Sequence, residues 1–192
     1  MVDRLCLGRC NWGNRRIIMT TFAYSLTIAS LVLFAGFVLL GIWKFGLLPS
    51  YSAYADKWAV AVPIDDRTNL WSAVTIIVAM LMVPALVETG QGNPWQFLGF
   101  FCPLYLIVVG FTPKWAHSIK QHIIHSVGAF LCAGAAVCWL ILVRKQLPIA
   151  VFSLLGALAL ALATKSLKKS YTFWAEIAMF AAVYVSLLIP GE

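Results

Sequence analysis

Residues 17–43 read IIMTTFAYSLTIASLVLFAGFVLLGIW, an apolar run without one charged side chain. A helix that crosses the hydrocarbon core of a bilayer needs about 20 such residues, and this run exceeds that length. Arg15 and Arg16 abut it on the N-terminal side. The apolar stretch is far longer than the roughly 7–15 residues of a signal-peptide core. The Ala-Tyr-Ala before Asp56 imitates a cleavage site but lies well past the end of the run. The segment is read as a retained anchor, with Met19 as an alternative start to Met1.

The same character extends along the whole chain. Of 192 residues, 62% are hydrophobic and 11% charged, and the mean hydropathy is +0.90. Soluble domains carry roughly a quarter charged residues, so the composition describes an integral membrane protein. Five further apolar runs follow at 70–87, 95–111, 121–143, 147–163 and 171–189. Asn69 is placed to cap the second run, and Gly and Pro residues in TGQGNP (89–94) mark a tight turn before the third. The expected fold is all-α: one domain over 1–192, a bundle of six antiparallel transmembrane helices with both termini on one side.

The net charge of +7 is spread between the runs and not gathered on a soluble face, so nucleic acid is not an expected partner. Arg15 and Arg16 favour an N-terminus in the cytoplasm, although Lys165, Lys168 and Lys169 pull the count of basic residues the other way. Cys6, Cys10, Cys102, Cys132 and Cys138 have neither redox-pair nor zinc-finger spacing, and no disulfide is required. The fourth and fifth runs are rich in small residues, among them Gly128, Ala129, Cys132, Ala133, Gly134, Gly156 and Ala157. These suit a tight helix–helix seam more than a channel. Trp43, Trp58, Trp71, Trp95, Trp115 and Trp174 lie near the ends of runs, as interfacial anchors do.

Six antiparallel spans put the loops 44–69, 112–120 and 164–170 on one side. All three histidines gather there, in KWAHSIKQHIIHSV (114–127), together with Asp65 and Asp66. Glu176 stands about 8 Å into the last span at 1.5 Å per residue. His122 and His125, three apart, share a helix face. An ionisable residue inside a span points to a functional site with a partner, and the partner named for Glu176 is His125 or His122. His122, His125, Glu176, Asp65 and Asp66 form the candidate ligand-binding set, with His117 expected in solvent. His122 and His125 are candidate ligands for a divalent metal. The bland alternative leaves His122 hydrated at the interface and pairs Glu176 with Lys168 or Lys169.

Three function classes follow. The first is a non-enzymatic membrane protein whose His/Glu pocket binds a lipid headgroup, a small ligand or a membrane-protein partner. The second is a metal-dependent hydrolase of a lipid amide or ester, and the third a proton-coupled carrier, for which no inverted repeat or broken helix pair is visible.

LPSYSAYA (48–55), NLWSAVTIIVAML (69–81), FLGFFCPLYLIVVGFTP (97–113) and HSIKQHIIHSVGAF (117–130) occur in an order that resembles the six-helix Frag/DRAM/Sfk-like membrane proteins and their bacterial relatives of unknown function. The matching positions are Pro49, Ser50, Ser52, Gly110, Pro113 and either His122 or His125. The resemblance implies six helices, a bacterial inner membrane and an N-terminus inside; it carries almost no biochemistry. The acidic residue that the family places after its second loop serine is missing here. A second resemblance, to seven-helix metal-dependent lipid hydrolases of the ceramidase and adiponectin-receptor type, rests on residue types alone. Those proteins spread their histidines over several helices, and here they crowd into one segment.

Overall fold

The computed structural model describes residues 19–62, 69–112, 117–163 and 170–189. Among these the chain is all-α. Its helices are α1 (Thr21–Phe45), α2 (Tyr54–Ala61), α3 (Leu70–Glu88), α4 (Leu98–Gly110), α5 (Ile119–Cys138), α6 (Leu147–Ala163) and α7 (Tyr171–Leu188). A π-helical turn, Trp139–Val143, prolongs α5. Taking α5 with that turn, four helices are long and apolar enough to cross a membrane, while α4 and α6 are apolar but shorter.

The helix ends follow local chemistry. Thr20 caps α1, its hydroxyl accepting from the Ala23 N–H at 3.2 Å. Glu88, closing α3, accepts from the Thr20 N–H at 2.9 Å and from its hydroxyl at 2.9 Å. One carboxylate thus ties the start of α1 to the end of α3. Asn69 caps α3 as its position in the sequence implies, accepting from Ser72 N–H at 3.0 Å, and its amide donates to Ala55 O at 2.9 Å. At the far end of α5, the Arg144 guanidinium donates to the Ser186 and Ile189 carbonyls at 2.6 and 2.8 Å, which occupies acceptors that the end of α7 leaves open.

The main helix pairs are α1 with α3, α3 with α4, α4 with α5, and α6 with α7, while α7 also reaches α1 and α5. Ser30 of α1 donates to Val78 O of α3 at 3.0 Å and lies 2.7 Å from the Tyr184 hydroxyl of α7. The outside of the bundle is apolar: on α6 the buried residues are Ala150, Ala157 and Ala161, while Phe152, Leu155, Leu160 and Leu162 are exposed. Small residues inside and large aliphatic ones outside is the arrangement for a lipid solvent, where packing and not hydrophobicity holds helices together.

Two expectations need correction. The segment after α1 is not only a loop: α2 buries Tyr54, Ala55 and Trp58 on one face. Trp58 and Trp71 are therefore core residues, not interfacial anchors, with exposures of 2% and 0%. Trp58 packs at 5.2 Å from Phe37 and 5.0 Å from Phe45, and this aromatic partnership outweighs the preference of the indole for the interface. Trp43, exposed, fits the anchor reading.

The α3–α4 pair depends on missing side chains. A Cβ on Gly99 would lie 2.7 Å from Leu86 O, and one on Gly110 would lie 2.8 Å from Ile76 Cγ1. Backbone cannot yield as a flexible side chain can. Gly99→Ala is expected to force the helices apart and cost about 1–3 kcal/mol. Gly156→Ala, with no neighbour within 4 Å, is expected to be neutral or stabilising by up to about 1 kcal/mol through helix propensity. Thermal unfolding of the two variants in detergent checks the contrast.

Candidate functional site

The residues 46–53 between α1 and α2 fold back over the bundle instead of leaving it. The Ala53 N–H donates to Ser50 Oγ at 3.1 Å, and the Ser50 and Ser52 hydroxyls lie 3.0 Å apart, which makes a tight serine turn. Pro49 O accepts from the Phe173 N–H at 3.0 Å, and the Tyr51 N–H donates to Glu176 Oε2 at 2.6 Å. Both bonds attach the turn to the first turns of α7. The buried Tyr51 ring then points inward, its hydroxyl 3.1 Å from Thr75 Oγ1, with Phe34, Trp71 and Phe180 around it. Burial pushes this phenol well above its ordinary range, so it stays protonated.

Beneath the turn lies a cavity of about 100 Å³. That is the order of size that accepts several waters or a small apolar group. Tyr51, Ser52, Trp71, His125 and Glu176 line one end. The walls beyond are Met82 and Leu86 of α3, Cys102 and Leu106 of α4, and Met179 and Val183 of α7. Ala129, Cys132, Ala133 and Ala136 of α5 complete the lining. At 1.5 Å per residue, the distance along α5 from His125 to Ala136 is roughly 16 Å. The shape is a polar end continued by an apolar groove.

Glu176 borders this space from inside α7. Among the described residues it forms no ion pair with Lys or Arg; the only ion pair is His117 Nε2 with Asp56 Oδ1 at 3.5 Å. Its bond to Tyr51 involves Oε2. Trp71 adds an unmet donor, since its fully buried indole N–H has no hydrogen-bond partner. Trp58, Trp139 and Trp174 share that condition but do not line the cavity.

The histidines separate. His125 is buried, with Nδ1 at 3.0 Å from the Thr112 hydroxyl. That hydroxyl has Val109 O at 2.8 Å to donate to, so it accepts from Nδ1–H and the imidazole is held as that tautomer. His122 is exposed, against the expectation that it faces the interior. Three residues on a helix turn a side chain by about 300°, so His122 is rotated about 60° away and stands one turn nearer the helix end. His117 is exposed as expected. Asp65, Asp66 and Pro113, like Lys168 and Lys169, lie outside the described residues. Glu176 and His125 therefore share a cavity, but the bond that holds Glu176 comes from a backbone amide that the sequence reading did not name.

Among the described residues no three His, Cys, Asp or Glu side chains come close enough to hold a metal ion. Cys102 and Cys132 are free thiols, Cys132 Sγ donating to Cys102 O at 3.3 Å. No family model, curated protein or solved structure matches the chain.

The Tyr51–Glu176 bond gives a direct test. Glu176→Leu removes the acceptor and strands a partly buried N–H, which costs about 1–3 kcal/mol. Glu176→Gln keeps an acceptor oxygen and is expected to lose less. In a cysteine-free background carrying Ser50→Cys, the Leu variant is expected to react several-fold faster with a membrane-impermeant maleimide than the Gln variant. Equal rates would show that the carboxylate does not hold the turn.

Proposed function

We propose that this chain is a non-enzymatic membrane protein of six transmembrane helices that binds a small amphiphilic molecule in its interior, polar group under the serine turn and a short apolar part along α5. The observation that carries this reading is the asymmetry of the cavity: Ser52, Trp71, His125 and Glu176 at one end, aliphatic and small side chains for the rest. A pocket for a purely polar solute would spread its polar groups, and a structural void would not spend a carboxylate.

Support for six crossings comes from the two sets of end contacts. Thr20, Glu88, Asn93, Arg144 and Ile189 meet at one end, Asn93 donating to Leu142 O at 3.2 Å. Pro49, Tyr51, Thr112, His125 and Phe173 meet at the other. Each helix from α3 onward thus begins where its predecessor ends, α4 and α6 included. Turn-type bonds from residue 93 to 100 lengthen α4 on its N-terminal side, which brings that apolar segment nearer to a spanning length. Arg144 at the same end as the start of α1 favours that end, and the N-terminus, in the cytoplasm of a bacterial inner membrane. Pro49, Ser50 and Ser52, the loop residues on which the resemblance to Frag/DRAM/Sfk-like proteins rests, build the turn over the cavity; the kinship itself stays a proposal.

Two measurements test the reading. Single cysteines at 91–93 and 117–118 are expected to be labelled from opposite sides of the membrane; labelling from one side would remove the six-span topology. Native mass spectrometry of the protein extracted from membranes is expected to show one retained amphiphile per chain. Ala133→Trp, which fills the cavity, is expected to abolish retention, and Gly156→Leu, in open space outside the bundle, to leave it unchanged. Equal retention by Ala133→Trp would move the ligand out of the cavity.

A further inference from the structure

We propose that the apolar part of the cavity is a site for a soft monovalent metal ion, of the copper(I) and silver(I) class, held on sulfur. The proposal does not rest on the amphiphile reading. Met82 of α3, Cys102 of α4, Cys132 of α5 and Met179 of α7 all line the cavity, so four helices each bring one sulfur to the same space. Three of these residues stand at one level. Gly99 faces Leu86 O and Gly110 faces Ile76, an antiparallel register that puts Cys102 opposite Met82 and its neighbour. Cys132 Sγ reaches Cys102 O at 3.3 Å. Met179 follows Glu176 by three residues, about 4.5 Å along α7, and borders the same space. Met80 and Cys138, by contrast, are exposed on the outside of the bundle.

Size and donors agree. A cavity of about 100 Å³ is ample for one ion and leaves the unbranched, flexible methionine side chains room to turn their sulfurs inward. Thiolate and thioether donors select copper(I) over harder ions. Zinc(II) takes its donors from Cys, His and carboxylates, and among the described residues no three of those gather. Charge balance also favours a monovalent ion. Cys132 gives its S–H to Cys102 O, which leaves Cys102 to ionise. Its S–H bond breaks, an S–metal bond forms, and the proton passes to water at the polar end. One thiolate and one monovalent cation make a neutral pair, which an apolar interior tolerates, whereas a divalent ion would leave a charge on the sulfur site. The thioethers add bonds without adding charge.

The test uses full-length protein in a non-ionic detergent and chloride-free buffer, with Cys6, Cys10 and Cys138 replaced by Ser so that Cys102 and Cys132 are the only thiols left. Silver(I), and copper(I) without oxygen, are each expected to bind at one ion per chain, and an excess of zinc(II) to displace neither. Cys102→Ser is expected to weaken silver binding about a hundredfold or more, and Met82→Leu and Met179→Leu about tenfold each, on the scale of losses seen when a metal site is altered. Met80→Leu, on the exposed side of α3, is expected to leave binding unchanged. Absence of saturable silver binding in the parent protein, or displacement by zinc(II), overturns the site, and neither result depends on a cavity variant that folds. If Cys102→Ser binds as the parent does, or if Met82→Leu and Met80→Leu behave alike, the ion is not held in this cavity and the proposal is overturned.

Discussion

The bond from the Tyr51 N–H to the Glu176 carboxylate governs the polar half of this molecule. A carboxylate about one and a half turns into an apolar helix has neither water nor lipid headgroup to solvate it, and one well-aimed amide is the nearest substitute. The same bond satisfies a backbone group in a turn that lies over the bundle, where an unmet N–H would be costly. Pro49 O reinforces it by accepting from Phe173, so the turn is attached to α7 at two places. With the backbone fixed, the Tyr51 ring has one place to go: between Phe34, Trp71 and Phe180, its hydroxyl at Thr75. Three helices are thereby joined through one loop residue.

The cavity beneath is a consequence of how small residues are distributed. Where α3 and α4 touch, Gly99 and Gly110 allow backbone-level approach, and Gly128 of α5 sits against Val108 and Val109 of α4. These glycines make seams. Ala129, Cys132, Ala133 and Ala136 border the cavity, and there small side chains leave space instead of closing it, even though Cys132 still reaches Cys102 O of α4. The same residue types therefore do opposite work within one helix. What decides between them is whether the facing helix is held close, and α7, attached through Glu176 to the turn, faces α5 across the gap.

The polar lining of the cavity comes from three helices and the serine turn. Its polar groups are few and of different kinds: a carboxylate, an imidazole committed to Thr112, a serine, an indole donor. They can orient one polar group and match one charge. Among the described residues no three His, Cys, Asp or Glu side chains gather, and the exposed His122 is turned away from the space in which His125 lies.

Much of this could be read from the chain alone. The length and apolarity of 17–43 and of the runs at 70–87, 121–143 and 171–189 dictate helices, because a backbone in lipid has to satisfy its own hydrogen bonds. Asn69 announces its cap, and Glu176 announces itself as the residue in need of a partner. The identity of that partner was not legible. A backbone N–H carries no sequence signature, so Tyr51 could not be told from its neighbours, and of the two histidines at three-residue spacing only His125 borders the cavity. Helix α2 was hidden because eight residues with one buried face are too few for periodicity to register. Whether a stripe of alanines becomes a seam or a void is likewise absent from the stripe. It depends on the distance to a helix some fifty residues further on, and that distance is set by contacts the whole bundle makes at once.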